Sequence, residues 1–296
     1  MVKIIAIGDT HIGSIYGLAS PSSVPRDRNN EFLKWIHVCW LDLCKRHNGP
    51  DYILTMGDLA DGSQAKNLGV DALVTDTDEQ VQMVIELFDK MITNKTTVFG
   101  VNGSGYHGGL GQATNIDRRV LEGMGGQYMG DIFEFDVNNN GRGTVKIQAT
   151  HGGSVSIVNP SSYIIREMLQ SEKDAAKNKI DGPDIIIRGH QHRFYSVQDD
   201  NGVWGILNGC WQYTTPFMAK KSANITPSIG ATVIEIDGGP PKIYREEYKI
   251  PKYVRDGMYN WTTLIDKRIK KKKEQDNKDW KDTLKTQFGK TTSKKQ

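Results

Sequence analysis

Histidines and aspartates stand at the ends of apolar segments in this sequence, and both residue types bind divalent metal ions. The first such segment, residues 2–7, is rich in β-branched residues and predicts a buried strand. Asp9 and His11 follow it at once, after Gly8. Alternate residues of an extended chain point the same way, so we expect both side chains to face one place. In open α/β sheets, ligands bind at this carboxyl edge.

The same arrangement recurs four more times, which makes chance a poor explanation. Residues 52–56, 96–101, 144–150 and 185–188 each predict a strand, and each strand ends at a glycine or a polar residue. Asp58 directly follows the first of these four strands and its glycine. Five of the seven histidines stand close after such strand ends: His11, His107, His151, His190 and His192.

The order of these motifs resembles that of the calcineurin-like metallophosphoesterases. The matching segments are Gly8-Asp9-Thr10-His11, Gly57-Asp58, a Gly-x-x-x-His loop, Thr150-His151-Gly152 and Gly189-His190-Gln191-His192. The resemblance covers roughly residues 1–248. It implies a four-layer αββα sandwich, in which two mixed β-sheets are flanked by helices. The order of predicted elements alone indicates an α/β fold with antiparallel additions.

The resemblance also implies two divalent metal ions, with manganese as the first candidate and iron, zinc, nickel or magnesium as alternatives. Carboxylates and imidazoles are suitable ligands for such ions. Asp58 stands alone at its strand end, so we expect it to bridge the two metals. The family pattern assigns one metal to Asp9, His11, Asp58 and His192. It assigns the other to Asp58, His151, His190 and one oxygen ligand from the third loop.

The third loop departs from the common family pattern, which reads Gly-Asn-His. Here Asn102 precedes Gly103, Ser104 follows it, and His107 is separated from both. An amide oxygen suits hard cations, which favours Asn102, whereas the position after the glycine favours Ser104. The loop resembles a variant branch, common in phage-like sequences, that reads Gly-[Ser/Thr]-x-x-His. We therefore predict Ser104 as the ligand and Asn102 as the alternative, with the second metal held less firmly.

In this scheme His107 binds no metal, so it is the candidate catalytic histidine. Two metals about 3.5–4 Å apart generate a bridging hydroxide that attacks phosphorus in line. We expect His107 to act as a general acid or to position the phosphate. The glycine-rich stretch 108–112 could also present backbone N–H groups to a phosphate. Arg118 and Arg193 could clamp the phosphate, although a surface or structural role is the more common one for such arginines.

The leading functional hypothesis is a phosphodiesterase or nuclease acting on a nucleic acid or nucleotide. The alternatives are a phosphomonoesterase for a small nucleotide or metabolite, and a non-catalytic metal-binding scaffold or nucleic-acid-binding protein. Residues 57–62 read Gly-Asp-Leu-Ala-Asp-Gly and lack the arginine of the Ser/Thr protein phosphatases, which argues against that class. We expect Asp61 to be a turn residue, and its alternative role is to orient a ligand. Proximity to the motifs suggests four residues that line the pocket: Tyr106, Trp211, Gln212 and Tyr213.

The elements that must position these residues show clear periodicity. Apolar stripes predict helices at residues 31–47, 78–94, 115–124 and 161–178. Asn115 or Thr114 would cap the third helix. His37 and His47 fall outside the apolar stripe of the first helix, so we expect both at the surface. Residues 133–137 and 144–150 predict a hairpin, and further strands are predicted at 203–207, 230–236 and 243–248.

Charge divides the chain into two parts. Of its 38 Lys+Arg and 35 Asp+Glu, residues 266–296 hold 12 and 5, which leaves 26 and 30 for the body. We predict a catalytic domain over residues 1–250 and a basic tail over 251–296, partly helical or disordered. The tail could contact a nucleic acid or another protein.

Cysteine usage and hydropathy suggest a cytoplasmic protein. The three cysteines show no Cys-x-x-Cys spacing and do not form a disulfide framework by number. No apolar run approaches the ~18 residues needed to span a bilayer, so we expect no membrane association. The N-terminus also lacks the layout of a signal peptide.

Overall fold

A computed structural model describes residues 1–25, 28–63, 69, 71–108, 115–152, 160–221 and 226–258, and scattered positions from 267 to 280. The predicted phosphate-binding stretch 108–112, except for Gly108, lies outside the described residues. So does most of the predicted tail beyond residue 258.

The described residues form eleven strands and six α-helices with the bounds given next, together with a 3₁₀ helix at Pro21–Ser23 and further helical segments such as residues 252–258. The strands are β1 (Val2–Ile7), β2 (Tyr52–Thr55), β3 (Thr97–Gly100), β4 (Gln127–Tyr128), β5 (Ile132–Asn138), β6 (Thr144–Thr150), β7 (Ile185–Arg188), β8 (Tyr195–Gln198), β9 (Trp204–Leu207), β10 (Ile229–Ile236) and β11 (Lys242–Tyr248). The helices are α1 (Glu31–Arg46), α2 (Thr77–Phe88), α3 (Gly105–Gly108), α4 (Ile116–Gly123), α5 (Pro160–Asn178) and α6 (Pro216–Lys221).

The strands form two mixed sheets, which confirms the predicted α/β sandwich. The first sheet has the order β11-β10-β1-β2-β3-β4, and β1 to β4 run parallel. The second has the order β5-β6-β7-β9-β8, with β6, β7 and β9 parallel. Parallel strands end at a common edge of their sheet, so the loops that follow β1, β2 and β3 are neighbours, as are those after β6 and β7.

Strand β1 is buried on both faces, as its unbroken apolar sequence predicts. Ile5 and Ile7 pack in the core beneath α1 and α2. Ile4 and Ala6 point the other way, into the core between the two sheets. Because successive side chains of a strand alternate between its faces, one short segment joins both cores. The loop after β1 therefore starts from a fixed support.

The helices lie on the outer faces of the sheets. The core of the first sheet contains Trp40 of α1, whose ring centroid is 5.0 Å from those of both Phe88 and Trp211. On the second sheet, Ile164 and Met168 of α5 pack against the outward-facing residues of β7 and β9. Helices cover both sheets from outside, which gives the four layers of the sandwich.

Most predicted elements are confirmed, with differences at their ends. Helices α1, α4 and α5 agree with the predictions to within one residue at each end, and Asn115 caps α4 by accepting a hydrogen bond from the Arg118 N–H. Helix α2 ends at Phe88, six residues before the predicted end at 94. The apolar pattern continued because Met91, in the following turn, is also fully buried. The short strands β4 and β8 were not predicted.

The prediction that His47 lies at the surface was wrong. It is only 6% exposed, and its Nε2 lies 2.9 Å from Glu246 Oε1 of β11. The partner is 199 residues away in sequence, so the helical pattern of α1 carries no signal for it. His37 is half-buried.

The chain remains packed beyond the predicted domain boundary at residue 250. Residues 252–258 are helical, and Val254 and Met258 are fully buried in the core beneath α1 and α2. The packed body thus includes residues beyond 250, and the division into a domain and a tail stays a prediction.

All three cysteines are free and buried. Among the described residues, no helix is both long and apolar enough to cross a membrane.

The aromatic contact of α1 predicts a large effect of one substitution. We expect Trp40→Ala to lower the free energy of unfolding by about 3–5 kcal/mol, because it leaves a cavity beside Phe88 and Trp211. It also removes the hydrogen bond from the indole N–H to the Leu87 carbonyl. Urea unfolding measures the difference. Val38→Ala on the exposed side of the same helix is the control, with a change within about 0.5 kcal/mol. Similar losses in both variants would contradict this packing.

Candidate metal centre

The loops after β1, β2, β6 and β7 bring all six predicted histidine and aspartate ligands together. Their donor atoms form two groups, within each of which all atoms lie within 4.8 Å of one another. All six side chains are buried except that of His190, which is half-buried. The groups are Asp9, Asp58, His151 and His190 in one, and Asp9, His11 and His192 in the other.

In the first group, His151 lies between the two aspartates. Its Nε2 is 3.1 Å from Asp58 Oδ2 and 4.0 Å from Asp9 Oδ1. The same Nε2 is 3.1 Å from Nδ1 of His190. Four donor atoms thus lie close together and come from four loops, which is an arrangement that suits a divalent ion.

In the second group, Asp9 Oδ1 lies 3.1 Å from His192 Nε2 and 4.0 Å from His11 Nε2. The His11 Nε2 atom is buried and has no hydrogen-bond partner among the described residues. Such an unpaired buried atom is costly unless something binds it. Asp9 belongs to both groups, and Asp58 reaches His11 in a third group that includes His107. Both carboxylates therefore lie between the two positions, whereas the sequence pointed to Asp58 alone.

The backbone of these loops explains how the side chains converge. Asp9, His11, Asp58, His190 and His192 all have positive φ, between 43° and 66°. They are five of the seven non-glycine residues with positive φ in the described part of the chain. Our sequence argument assumed an extended segment at Asp9 and His11, and this was wrong. Left-handed turns aim the side chains, and such strained residues cluster at functional sites.

Hydrogen bonds on the far side of two rings fix their orientation. His151 Nδ1 lies 2.7 Å from the Met56 carbonyl, and since a carbonyl only accepts, this nitrogen carries the proton and Nε2 is left for a metal. His11 Nδ1 lies 3.2 Å from Asp61 Oδ1. Asp61 is 1% exposed. The contact favours the alternative from the sequence, in which Asp61 orients a ligand, over the preferred role as a turn residue.

Burial and mutual contact set the pKa values of the cluster. Burial alone would raise the pKa of Asp9 and Asp58, but the facing histidines hold both below the usual aspartate value. Burial alone would lower the pKa of His151, and the charges of Asp58 and Asp9 raise it to about 10. Burial lowers the pKa of His11 and His190. Without metal, protonated His151 thus helps to balance the aspartates, a role that a divalent cation takes over on binding.

The structure places the two third-loop candidates differently. The Ser104 N–H donates to Asp58 Oδ1 at 2.7 Å, and its Oγ lies 3.1 and 3.0 Å from the two oxygens of that carboxylate. The amide of Asn102 is already engaged, because Nδ2 donates to Asp131 and Oδ1 accepts from Asn115. Contact with the central aspartate favours Ser104, although its role as a ligand stays a prediction.

His107 stands at the rim of the cluster. Its side chain is 16% exposed, and its ring centroid lies 4.5 Å from that of His11. Its Nδ1 is 2.9 Å from the Asp61 carbonyl and therefore donates to it. The ring is held at Nδ1 and is partly exposed, which suits a residue that exchanges a proton with a bound molecule.

The other predicted pocket and clamp residues divide into two sets. Trp211 is fully buried in the helix-covered core and Gln212 is 3% exposed, so the structure does not place either as a pocket-lining surface. Tyr106 is 42% exposed and packs edge-on against His107, with 4.8 Å between ring centroids. Tyr213 is half-buried. Arg118 pairs with Glu122 on its own helix, as expected of a surface arginine.

The cluster fits divalent metal ions. Imidazole and carboxylate donors suit manganese, iron and zinc. The unpaired Nε2 of His11 and the oriented Nε2 of His151 both face the aspartates, so these donors are already positioned for an ion. This pre-arrangement is what a metal centre needs and what an ordinary buried salt bridge does not.

A close backbone approach beneath the cluster gives a testable prediction. A Cβ on Gly57 would lie 2.5 Å from both N and Cα of Gly103, whereas at Gly125 no described atom lies within 4 Å. Both glycines have positive φ, of 78° and 69°. Gly57→Ala should therefore cost about 1–3 kcal/mol more unfolding free energy than Gly125→Ala and weaken metal binding. Calorimetry measures both; equal costs would contradict the close approach.

Comparisons with known proteins agree with this centre. The sequence matches the model of the calcineurin-like phosphoesterase family over residues 2–194. No curated protein matches the sequence.

Solved structures with related folds include Vps29 of Entamoeba histolytica complexed with zinc, which is 14% identical, with a TM-score of 0.43, over 84% of this chain and 100% of that one. They also include a dimetal phosphatase from Danio rerio, 11% identical, with a TM-score of 0.43, over 84% and 99% of the chains. Because the family match spans well over half of the 296 residues, the chain belongs to the calcineurin-like phosphoesterases, which are metal-dependent hydrolases of phosphoric esters.

Proposed function

We propose that this protein is a phosphodiesterase that works with two divalent metal ions, of which manganese is the first to test. The observation that carries the proposal is the convergence of six histidine and aspartate side chains, five of them buried and one half-buried, on two adjacent positions. Six such donors, two of them on rings oriented by hydrogen bonds, exceed what packing or charge balance needs.

The proposed ligand sets keep the assignment that the family pattern implies, in which the two metals share Asp58. One metal would be held by Asp9, His11, Asp58 and His192, and the other by Asp58, His151, His190 and Ser104. When bound, two such ions supply a nucleophile at neutral pH and neutralise the charge of the phosphate oxygens. The protein's own contribution is to fix the donor positions in a buried, preorganised site.

His107 is the residue we propose for proton transfer to the leaving oxygen. It is the predicted active-site histidine whose Nδ1 is held by the Asp61 carbonyl while its ring stands at the rim. A fixed ring with one free nitrogen can donate its proton to one defined place. Charged, the same ring would also hold the phosphate in position.

The charges beside the cluster favour a diester. A phosphomonoester is a dianion near neutral pH and needs more cationic groups than a monoanionic diester. Arg118 is engaged with Glu122, and Arg188, which precedes the loop with His190, is engaged with Glu167. Neither is available as a clamp, and Arg193, which follows His192 and is half-buried, remains the one candidate named from the sequence. That the substrate is a nucleic acid, that the basic tail contacts it, and that the chain belongs to a phage-like branch all stay predictions.

The first test compares two esters. With manganese present, we expect turnover of bis(p-nitrophenyl) phosphate to exceed that of p-nitrophenyl phosphate. His107→Ala should lower kcat for the diester about 10²–10⁴-fold, because the general acid is lost, while both metals remain bound. Mass spectrometry gives the metal content. His37→Ala, a histidine of α1 outside the cluster, is the matched control and should leave both quantities unchanged.

Other outcomes of that test exclude the proposal in different ways. Faster turnover of the monoester would establish a phosphomonoesterase instead. Two bound metals without hydrolysis of either ester would point to a scaffold. A chain that binds no metal at all would refute the dinuclear centre itself.

A second test identifies the ligand in the third loop. Ser104→Ala should lower the affinity of the second manganese by at least about tenfold, the scale at which disturbed coordination acts. Asn102→Ala removes only the contacts of the loop with Asp131 and Asn115, so it should lower the affinity less than Ser104→Ala does. Titration calorimetry with manganese resolves the two sites. The reverse order of effects would assign the ligand to Asn102.

A further inference from the structure

A buried aspartate outside the predicted ligand set joins the two loops that carry Asp58 and Ser104. Asp117 belongs to the first turn of α4 and is 1% exposed. Its Oδ1 accepts the N–H of Leu59 at 3.0 Å, and its Oδ2 accepts the N–H of Gly103 at 2.9 Å. Leu59 directly follows Asp58, and Gly103 directly precedes Ser104.

A serine ligand depends on this connection between the two loops because its side chain is short. A serine hydroxyl stands on Cβ, so one torsion angle places it and the backbone must do the rest. Ser104 Oγ lies 3.0–3.1 Å from both oxygens of Asp58. A shift of the loop by a few tenths of an ångström would change its coordination, because metal–oxygen distances vary little.

The N-terminal end of α4 also binds Asn102, the residue before Gly103 in the third loop. Asn115, the cap of α4, donates from Nδ2 to Asn102 Oδ1 at 2.8 Å. The N-terminal end of α4 therefore binds Asn102 and Gly103 of the third loop. Asp117 also binds Leu59 in the loop after β2. A Cβ on Gly103 would lie 2.3 Å from the Asp58 N and 2.8 Å from Asp117 Oδ2, so this position leaves no room for a side chain.

A carboxylate is an unfavourable group at this place, which makes its presence informative. Burial, and next the charge of Asp58, raise the pKa of Asp117 to about 6. Asparagine has the same shape without the charge. Its amide, however, offers one oxygen, and its NH₂ group would face one of the two backbone N–H donors. Only the carboxylate satisfies both loops at once.

We propose that Asp117 is a positioning residue, which holds Ser104 against Asp58 and thereby sets the affinity of the second metal position. The proposal rests on the dinuclear function described above. Asp117 acts through the Leu59 and Gly103 amides, so its effect reaches the metal by way of backbone geometry and not by direct contact.

The deciding experiment is manganese titration of Asp117→Asn by calorimetry. We expect the affinity of the second site to fall about 10–100-fold, the usual result of disturbing the groups that orient metal ligands, and that of the first to change less than about threefold. Glu122→Gln, on the exposed side of α4, is the matched control and should bind both ions as the wild type does. Excess manganese should restore most of kcat in Asp117→Asn.

A second readout does not depend on metal or activity. In metal-free protein, the Leu59 and Gly103 amides should exchange their hydrogens faster in Asp117→Asn than in the wild type, as followed by NMR, while those of β2 and β3 keep their protection. Asn115→Ser keeps the helix cap but removes the contact with Asn102. It should shift the same site in the same direction, and it serves if Asp117→Asn does not fold.

The outcomes separate this proposal from the function on which it rests. Wild-type protein that binds no manganese would refute the dinuclear function. Wild-type protein that binds two ions, with unchanged affinity in Asp117→Asn, would refute only the role of Asp117. Equal weakening of both sites together with faster exchange throughout the two sheets would show a general structural role and would also overturn the proposal.

Discussion

Two buried carboxylates, Asp9 and Asp58, are the constraint on which this structure depends. Each is at most 2% exposed, and an isolated charge so deeply buried is far too costly to persist. The histidines that face them provide the compensation, and their rings approach from the loops after β1, β6 and β7. The fold meets this requirement because β1, β2, β6 and β7 end at neighbouring edges of the two sheets. The chemistry of the site and the order of strands are thus two aspects of one arrangement.

The same constraint accounts for the strain in these loops. Five of the candidate ligands have left-handed backbone conformations, each of which costs on the order of 1–3 kcal/mol in a non-glycine residue. Such conformations persist only where the surroundings fix them. Here the fixed support is β1, buried on both faces, and its neighbour β2, whose register with β1 pairs Ile7 with Thr55 immediately before the two turns. The paired strands β1 and β2 thus end just before the residues with left-handed backbone conformations.

The sequence was informative wherever one local pattern decided the outcome. Apolar runs predicted the strands, and the donors after them, such as Asp9 and His192, were found because strand ends converge in any parallel sheet. Residues that act through distant partners gave no such signal. Asp117 meets Leu59 across 58 positions, and His47 meets Glu246 across 199. An aspartate in the first turn of a helix is expected on grounds of helix capping alone, so its inward direction could not be foreseen.

The third loop shows how a small change of ligand redistributes work within a site. Where a long side chain reaches a metal, the loop beneath it has freedom to move. Where a serine takes that place, the side chain gives up reach and the backbone must supply it. In this chain the added precision comes from α4, whose first turn binds Asn102 and Gly103 and links them to Leu59. If Ser104 is the ligand, as we propose, the departure at Ser104 and the burial of Asp117 are coupled.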